Sequence, residues 1–231
     1  MLSPLDYLIW CAGPLVEAFI LVRALVRRDF LRYFSLNLYL AAAISITFGQ
    51  MLVFHAYGRE SLSYVYSYYW GDSLLVIFLF FVVIGLYEHV FREMKVHSYI
   101  RFGAVMLLVG TTIVSYLIVH HQNGKLATRL IVGLSQNLYF VGVVLTYMLW
   151  IAVRKMRQFS TRLIQLVLAL GIYFSASAAS YALRNLFPSL SFTKEIMPLV
   201  NLWLPVAWAY TFTFVPERAR LATSLIAERA S

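Results

Sequence analysis

Seven apolar runs, each roughly twenty residues or longer and separated by short polar stretches, organise this chain. They lie near Tyr7 to Val26, Tyr33 to Phe54, Tyr66 to Phe91, Phe102 to His120, Leu126 to Val153, Leu163 to Leu183 and Ile196 to Val215. As a helix rising 1.5 Å per residue, each run covers a hydrocarbon core of roughly 30 Å. Even the longest connection, from His55 to about Val65, is too short to fold as a domain. The pattern predicts an all-α polytopic membrane protein: one seven-transmembrane helix bundle over 1–231. Seven spans take up nearly the whole sequence, so no fused kinase, cyclase or nucleotide-binding domain is expected, and any signal would pass through another polypeptide. In the last stretch, 216–231, Leu221, Ala222, Leu225 and Ile226 share one helical face. A short amphipathic tail on the inner leaflet is expected there.

The third run and its flanks are the most patterned part. Tyr64, Tyr66, Tyr68, Tyr69 and Trp70 crowd into seven residues, Asp72 follows at once, and the apolar stretch closes on Glu88, His89 and Arg92. An aromatic belt at one end and charges at the other mark the two membrane interfaces. Asp72 falls inside the belt. Glu88 is sixteen positions further on, about 160° around the helix and about 24 Å along it, so the two acids lie on nearly opposite faces. Glu88 also precedes Arg92 by one turn, the favourable order for a helix ion pair.

Composition changes the picture in one respect: it fixes the solvent. With 61% hydrophobic residues, 13% charged and a mean hydropathy of +0.76, the chain cannot cover its apolar surface with polar groups in water. The net charge of +9 then reads as loop asymmetry and as a surface for anionic lipid headgroups, and no nucleic-acid partner is implied. One set of loops carries Arg23, Arg27, Arg28, Arg32, Arg92, Lys95, Arg101, Arg154, Lys155, Arg157, Arg162, Arg218, Arg220 and Arg229. The other carries Arg59, Lys125, Arg129, Arg184 and Lys194. By the positive-inside rule the N-terminus is outside and the C-terminus cytoplasmic. The single cysteine, Cys11, excludes a disulfide framework, and MLSPLD lacks the basic start of a signal peptide.

Packing signals come from small residues four apart: Ala41, Ser45 and Gly49 in the second run, and Gly171, Ser175 and Ala179 in the sixth. The run Phe174 to Ala182 is the clearest buried face, and a homo-oligomer contact is an alternative use for such a line. Pro14, Pro198 and Pro205 fall in or at the start of runs, and Pro205 is expected to kink the seventh.

Ionisable groups at membrane depth are costly and mark candidate sites. Glu17, an intramembrane acid, has Trp10, Gly13, Ile20 and Leu21 on its own face and should face the bundle interior. Asp72 has Arg184 or Asn201 as candidate partners, and two roles stand open for it: a structural pair or a ligand-contacting anion. Asn37, Gln50, Gln136, Asn137, Gln165 and Asn201 are the other polar residues at depth. With Tyr139, Tyr173, Tyr181, Trp203 and Trp208 they either line an outward cavity or join helices. The ligand-binding set is therefore Asp72, Tyr69, Trp70, Gln136, Tyr139, Tyr181, Arg184, Asn201 and Trp203, suited to a small amphipathic or cationic ligand.

Signals for catalysis and cofactors are weak. His55, His120 and His121 have no ligand spacing to support a metal site, and His89 has no evident mate for haem. No nucleophile set or P-loop is seen, and the seventh run has no lysine for a retinal Schiff base. No enzyme activity, metal or cofactor is expected.

The stretch YSYYWGDSLLVIFLFFVVIGLYEHVFRE resembles a group of bacterial seven-span integral membrane proteins, frequent in soil acidobacteria. These carry an aromatic-Tyr-Trp stretch ahead of an acid and a similar Glu-His/Arg end. The likeness covers roughly the second through the fourth runs. It implies the architecture and an inner-membrane location; the group has no assigned activity, so no catalytic residues come with it. Two functions fit the sequence. One is a receptor-like or accessory subunit that binds a small ligand or lipid in its outer half and works through a partner at RKMRQFSTR and the other basic loops. The other is a small transporter or channel, against which stands the lack of an internal repeat.

Overall fold

The computed structural model describes residues 4–27, 30–58, 60–91, 97–120, 126–155, 161–187 and 192–215. Among them are seven helices and no strand: α1 Pro4–Val26, α2 Phe34–Tyr57, α3 Leu62–Val90, α4 His97–His120, α5 Leu126–Lys155, α6 Thr161–Leu186 and α7 Phe192–Phe214. Every apolar run became one helix, with ends within a turn or so of those expected. Four helical stretches are long and apolar enough to cross a membrane: Phe34–Tyr57, Leu62–Val90, Leu130–Val153 and Thr161–Arg184. In α4 the stretch Val105–Leu117 is apolar but shorter. Large apolar side chains such as Phe48, Leu52, Phe81, Ile113, Tyr147 and Met148 are exposed, an arrangement suited to hydrocarbon and costly in water. The tail 216–231, the loop residues Arg92, Lys95 and Arg157, and His121 lie outside the described residues. So does the partner expected for Glu88.

Two compact units divide the chain, Glu17–Val141 and Met1–Val16 with Gly142–Ser231, the divisions falling inside α1 and α5. In the first unit α2 and α3 form a close hairpin. Its turn is tighter than the sequence suggested, because two residues end and restart the helices. Gly58 takes a positive φ of 77°, a conformation that favours glycine, and its N–H caps Phe54 O at 2.9 Å. Ser61 then accepts a hydrogen bond from the Tyr64 N–H at 3.1 Å, the standard N-cap arrangement.

The hairpin's close approach is made by glycines on α3. A Cβ on Gly71 would collide with the Gln50 amide and lie 2.7 Å from Ile46 Cγ2; one on Gly85 would meet Ser35. The line Ala41, Ser45 and Gly49, expected to serve this purpose, does not. Ser45 and Gly49 are exposed, the Ser45 hydroxyl donates back to Ala41 O at 2.8 Å, and among the described residues nothing stands within 4 Å of where a Gly49 Cβ would be. Four-residue spacing identifies a face without saying whether protein or lipid covers it.

In the second unit α6 and α7 pack antiparallel. Arg162 reaches Val215 O through Nε and Nη2 at 3.2 and 3.0 Å, Thr211 Oγ1 donates to Gln165 at 3.5 Å, and Tyr173 donates to Asn201 Oδ1 at 3.3 Å. α7 runs through both Pro198 and Pro205 without a break in helical assignment. The expected buried face of α6 is present, but in another register: Phe174, Ser177, Ala178 and Tyr181 are buried, whereas Ser175 and Ala179 are exposed. Against it lies Gly142 of α5, whose absent Cβ leaves room for the Phe174 ring.

Candidate functional site

Within the unit Glu17–Val141, three consecutive residues of α3 point in three directions, as 100° steps require. Gly71 faces Gln50 and Ile46 of α2. The Asp72 carboxylate accepts a hydrogen bond from the Tyr139 hydroxyl of α5 at 3.1 Å. Ser73 donates to Ile131 O at 3.4 Å and accepts from Ser135 Oγ at 3.1 Å. Ile131, Ser135 and Tyr139 are spaced four apart, form one buried stripe of α5, and leave Tyr139 only 1% exposed. Asn137 turns the other way and donates to Ser115 Oγ of α4 at 2.9 Å, while Ser115 donates to Thr111 O at 2.8 Å. The segment Ser135 to Tyr139 is thus a polar hub joining α5 to α3 and α4. Hydrogen bonds of this kind between membrane helices contribute about 0.6 kcal/mol each on average.

Other residues of the predicted set occupy varied settings. Tyr69 is half-buried and its ring meets Tyr68 edge to face at 5.6 Å. Trp70 is 53% exposed. Gln136 is half-buried between Ser135 and Asn137. In the other unit Tyr181 is buried, Arg184 and Trp203 are exposed, and Asn201 accepts from Tyr173. The structure therefore joins Asp72 to Tyr139 and Asn201 to Tyr173. Of the amides singled out from the sequence, Asn37 anchors the start of α2 by donating to Phe30 O at 2.9 Å, and Gln50 makes a long 3.5 Å contact to Ser67 O. Ser73, Ser115 and Ser135 were missed from sequence. Ser73 and Ser135 had a signal in the adjacency of small polar residues, Gly-Asp-Ser and Ser-Gln-Asn, inside apolar runs; Ser115, between Val114 and Tyr116, had none.

Glu17 lies on α1 at 8% exposure, and its Oε2 is enclosed without a hydrogen-bond partner among the described residues. An unsatisfied buried carboxyl oxygen costs several kcal/mol on the order of magnitude expected for buried polar groups. Ser177 Oγ, in the other unit, is likewise enclosed and unsatisfied. His55 is exposed with its ring 5.8 Å from Phe54, and His89 is half-buried with its ring 6.0 Å from Tyr33. Among the described residues no three His, Cys, Asp or Glu side chains converge. Comparison with protein-family models, curated proteins and solved structures returned no match.

Proposed function

We propose that the protein is a seven-span bacterial inner-membrane protein, N-terminus outside and C-terminus cytoplasmic, of the kind its third helix resembles. It is non-enzymatic and receptor-like: it binds a small ligand or lipid at the outer half of α3 and acts through a partner protein at its basic cytoplasmic loops. The observation that carries this reading is the contrast between Asp72 and its neighbours. Ser73 with Ser135, and Asn137 with Ser115, already join α5 to α3 and α4 through neutral hydrogen bonds. Beside them the Asp72 carboxylate accepts from Tyr139, an ionisable group among neutral ones. Charge at membrane depth is retained where it has a task.

The test is to purify the wild type and Asp72→Asn in the same mild detergent and compare the small molecules and lipids released from each. The expected result is a species enriched with the wild type and absent from a variant that remains monodisperse. Identical complements would remove the ligand-binding reading.

One observation favours a small transporter or channel instead, the enclosed Oε2 of Glu17, which has no hydrogen-bond partner among the described residues. A proton or ion flux in liposomes that is abolished by Glu17→Gln would replace the receptor reading with that one.

A further inference from the structure

We infer that Glu17 is a proton-binding site, in which a single proton carried on Oε2 takes the place of the cation or donating side chain that accompanies other buried carboxylates. Glu17 is 8% exposed, and Ile20, one turn further along the same face of α1, is 2% exposed. Oε2 is enclosed, and no described residue donates a hydrogen bond to it. An isolated carboxylate taken out of water loses far more than a neutral acid does, so an oxygen left bare in this way disfavours the ionised form. A proton on Oε2 cancels the charge and turns a bare acceptor into a hydroxyl. The inference stands on α1 and is independent of any ligand at the outer half of α3. It also narrows the transport reading, since an ion carried through Glu17 would then be a proton.

Other ways of satisfying the carboxyl fit less well. Arg23 is the nearest basic residue along α1, six residues further on, which places it about 120° around the helix and about 9 Å along it. Its Nε is itself enclosed without a partner among the described residues, so these two atoms do not join. Calcium and magnesium gather several oxygen ligands, and among the described residues no three His, Cys, Asp or Glu side chains converge. Hydroxyls elsewhere in the chain satisfy themselves on their own helix: Ser45, Thr111, Ser115 and Ser180 each donate to the carbonyl four residues earlier. An ionised carboxylate only accepts and has no such outlet, whereas the neutral acid carries a donor and regains it.

The test is infrared spectroscopy of the full chain in liposomes near neutral pH. Glu17→Gln and Glu17→Leu each remove one carboxyl group, so the difference from wild type must lose either the carbonyl stretch of a neutral acid or the paired stretches of a carboxylate. Loss of the acid stretch in both variants, in potassium and in sodium buffer alike, is the expected result. Loss of the carboxylate stretches overturns the assignment. So does an acid stretch that sodium converts to carboxylate, which would make Glu17 a metal-cation site. Melting curves report whether the variants fold, and carbon-13 glutamate in the wild type reads the same group without a variant. The label should shift an acid stretch; a label that shifts carboxylate stretches alone overturns the inference even where neither variant folds. Proton flux is measured separately in the same liposomes, so its absence counts against the transport reading while the spectra judge the proton site.

Discussion

Gly142 shows how much a single absent methyl can matter. A Cβ there would lie 2.5 Å from Phe174 Cε1, and the ring is a rigid plate that is itself only 1% exposed. Gly142→Ala should therefore destabilise by about 1–3 kcal/mol, the usual cost of overpacking a filled core. Gly49→Ala, in open space, should cost nothing and gain helix propensity. Thermal denaturation in detergent compares the two. At this scale the sequence was only partly legible. Asp72 stood out because a lone acid in an apolar run has few ordinary explanations. Gly71, Gly85 and Gly142 did not, since a glycine's need is set by the bulky group opposite it, and that group is on another helix.

Among the elements, the α6 to α7 pair is joined at its end by a residue the sequence counted as a loop charge. Arg162 is 7% exposed, donates twice to Val215 O and stacks its guanidinium 5.7 Å from the Phe212 ring. The last carbonyls of a helix have no partner within it, and a cation near them also complements the helix dipole. Arginine's planar fork serves this better than a point charge. Arg162→Lys should thus lower stability by about 1–2 kcal/mol, read as a lower melting temperature, with Arg162→Ala falling further because a buried acceptor is then left bare. Helix existence and limits were readable from apolar run lengths, and so was the buried stretch of α6. The bond between Asp72 and Tyr139 was not: the two stood together in the expected ligand set, but Arg184 or Asn201 was the partner expected for the acid, because local pattern does not record which side chains meet across helices.

For the whole molecule, the apolar run lengths and composition predicted a helical chain suited to a membrane, and four helices long and apolar enough to span are compatible with that. Sidedness rests on the distribution of basic residues, and it has a direct check. A C-terminal alkaline phosphatase fusion should be inactive and a C-terminal fluorescent protein bright; the reverse would invert the bundle and turn the proposed binding site toward the cytoplasm.

The length of α3 has one more consequence. Its 29 residues measure about 43 Å, against a hydrocarbon core of about 30 Å. The helix must tilt or stand proud of the core, and mismatch costs fractions of a kcal/mol per Å. The aromatic turns at its start lie at one end of that length. In a thick bilayer they are drawn toward the acyl chains and Asp72 goes deeper; in a thin one both approach the headgroups. If the Asp72 position binds a ligand as proposed, its occupancy should track membrane thickness, which nanodiscs of different acyl-chain length would read directly.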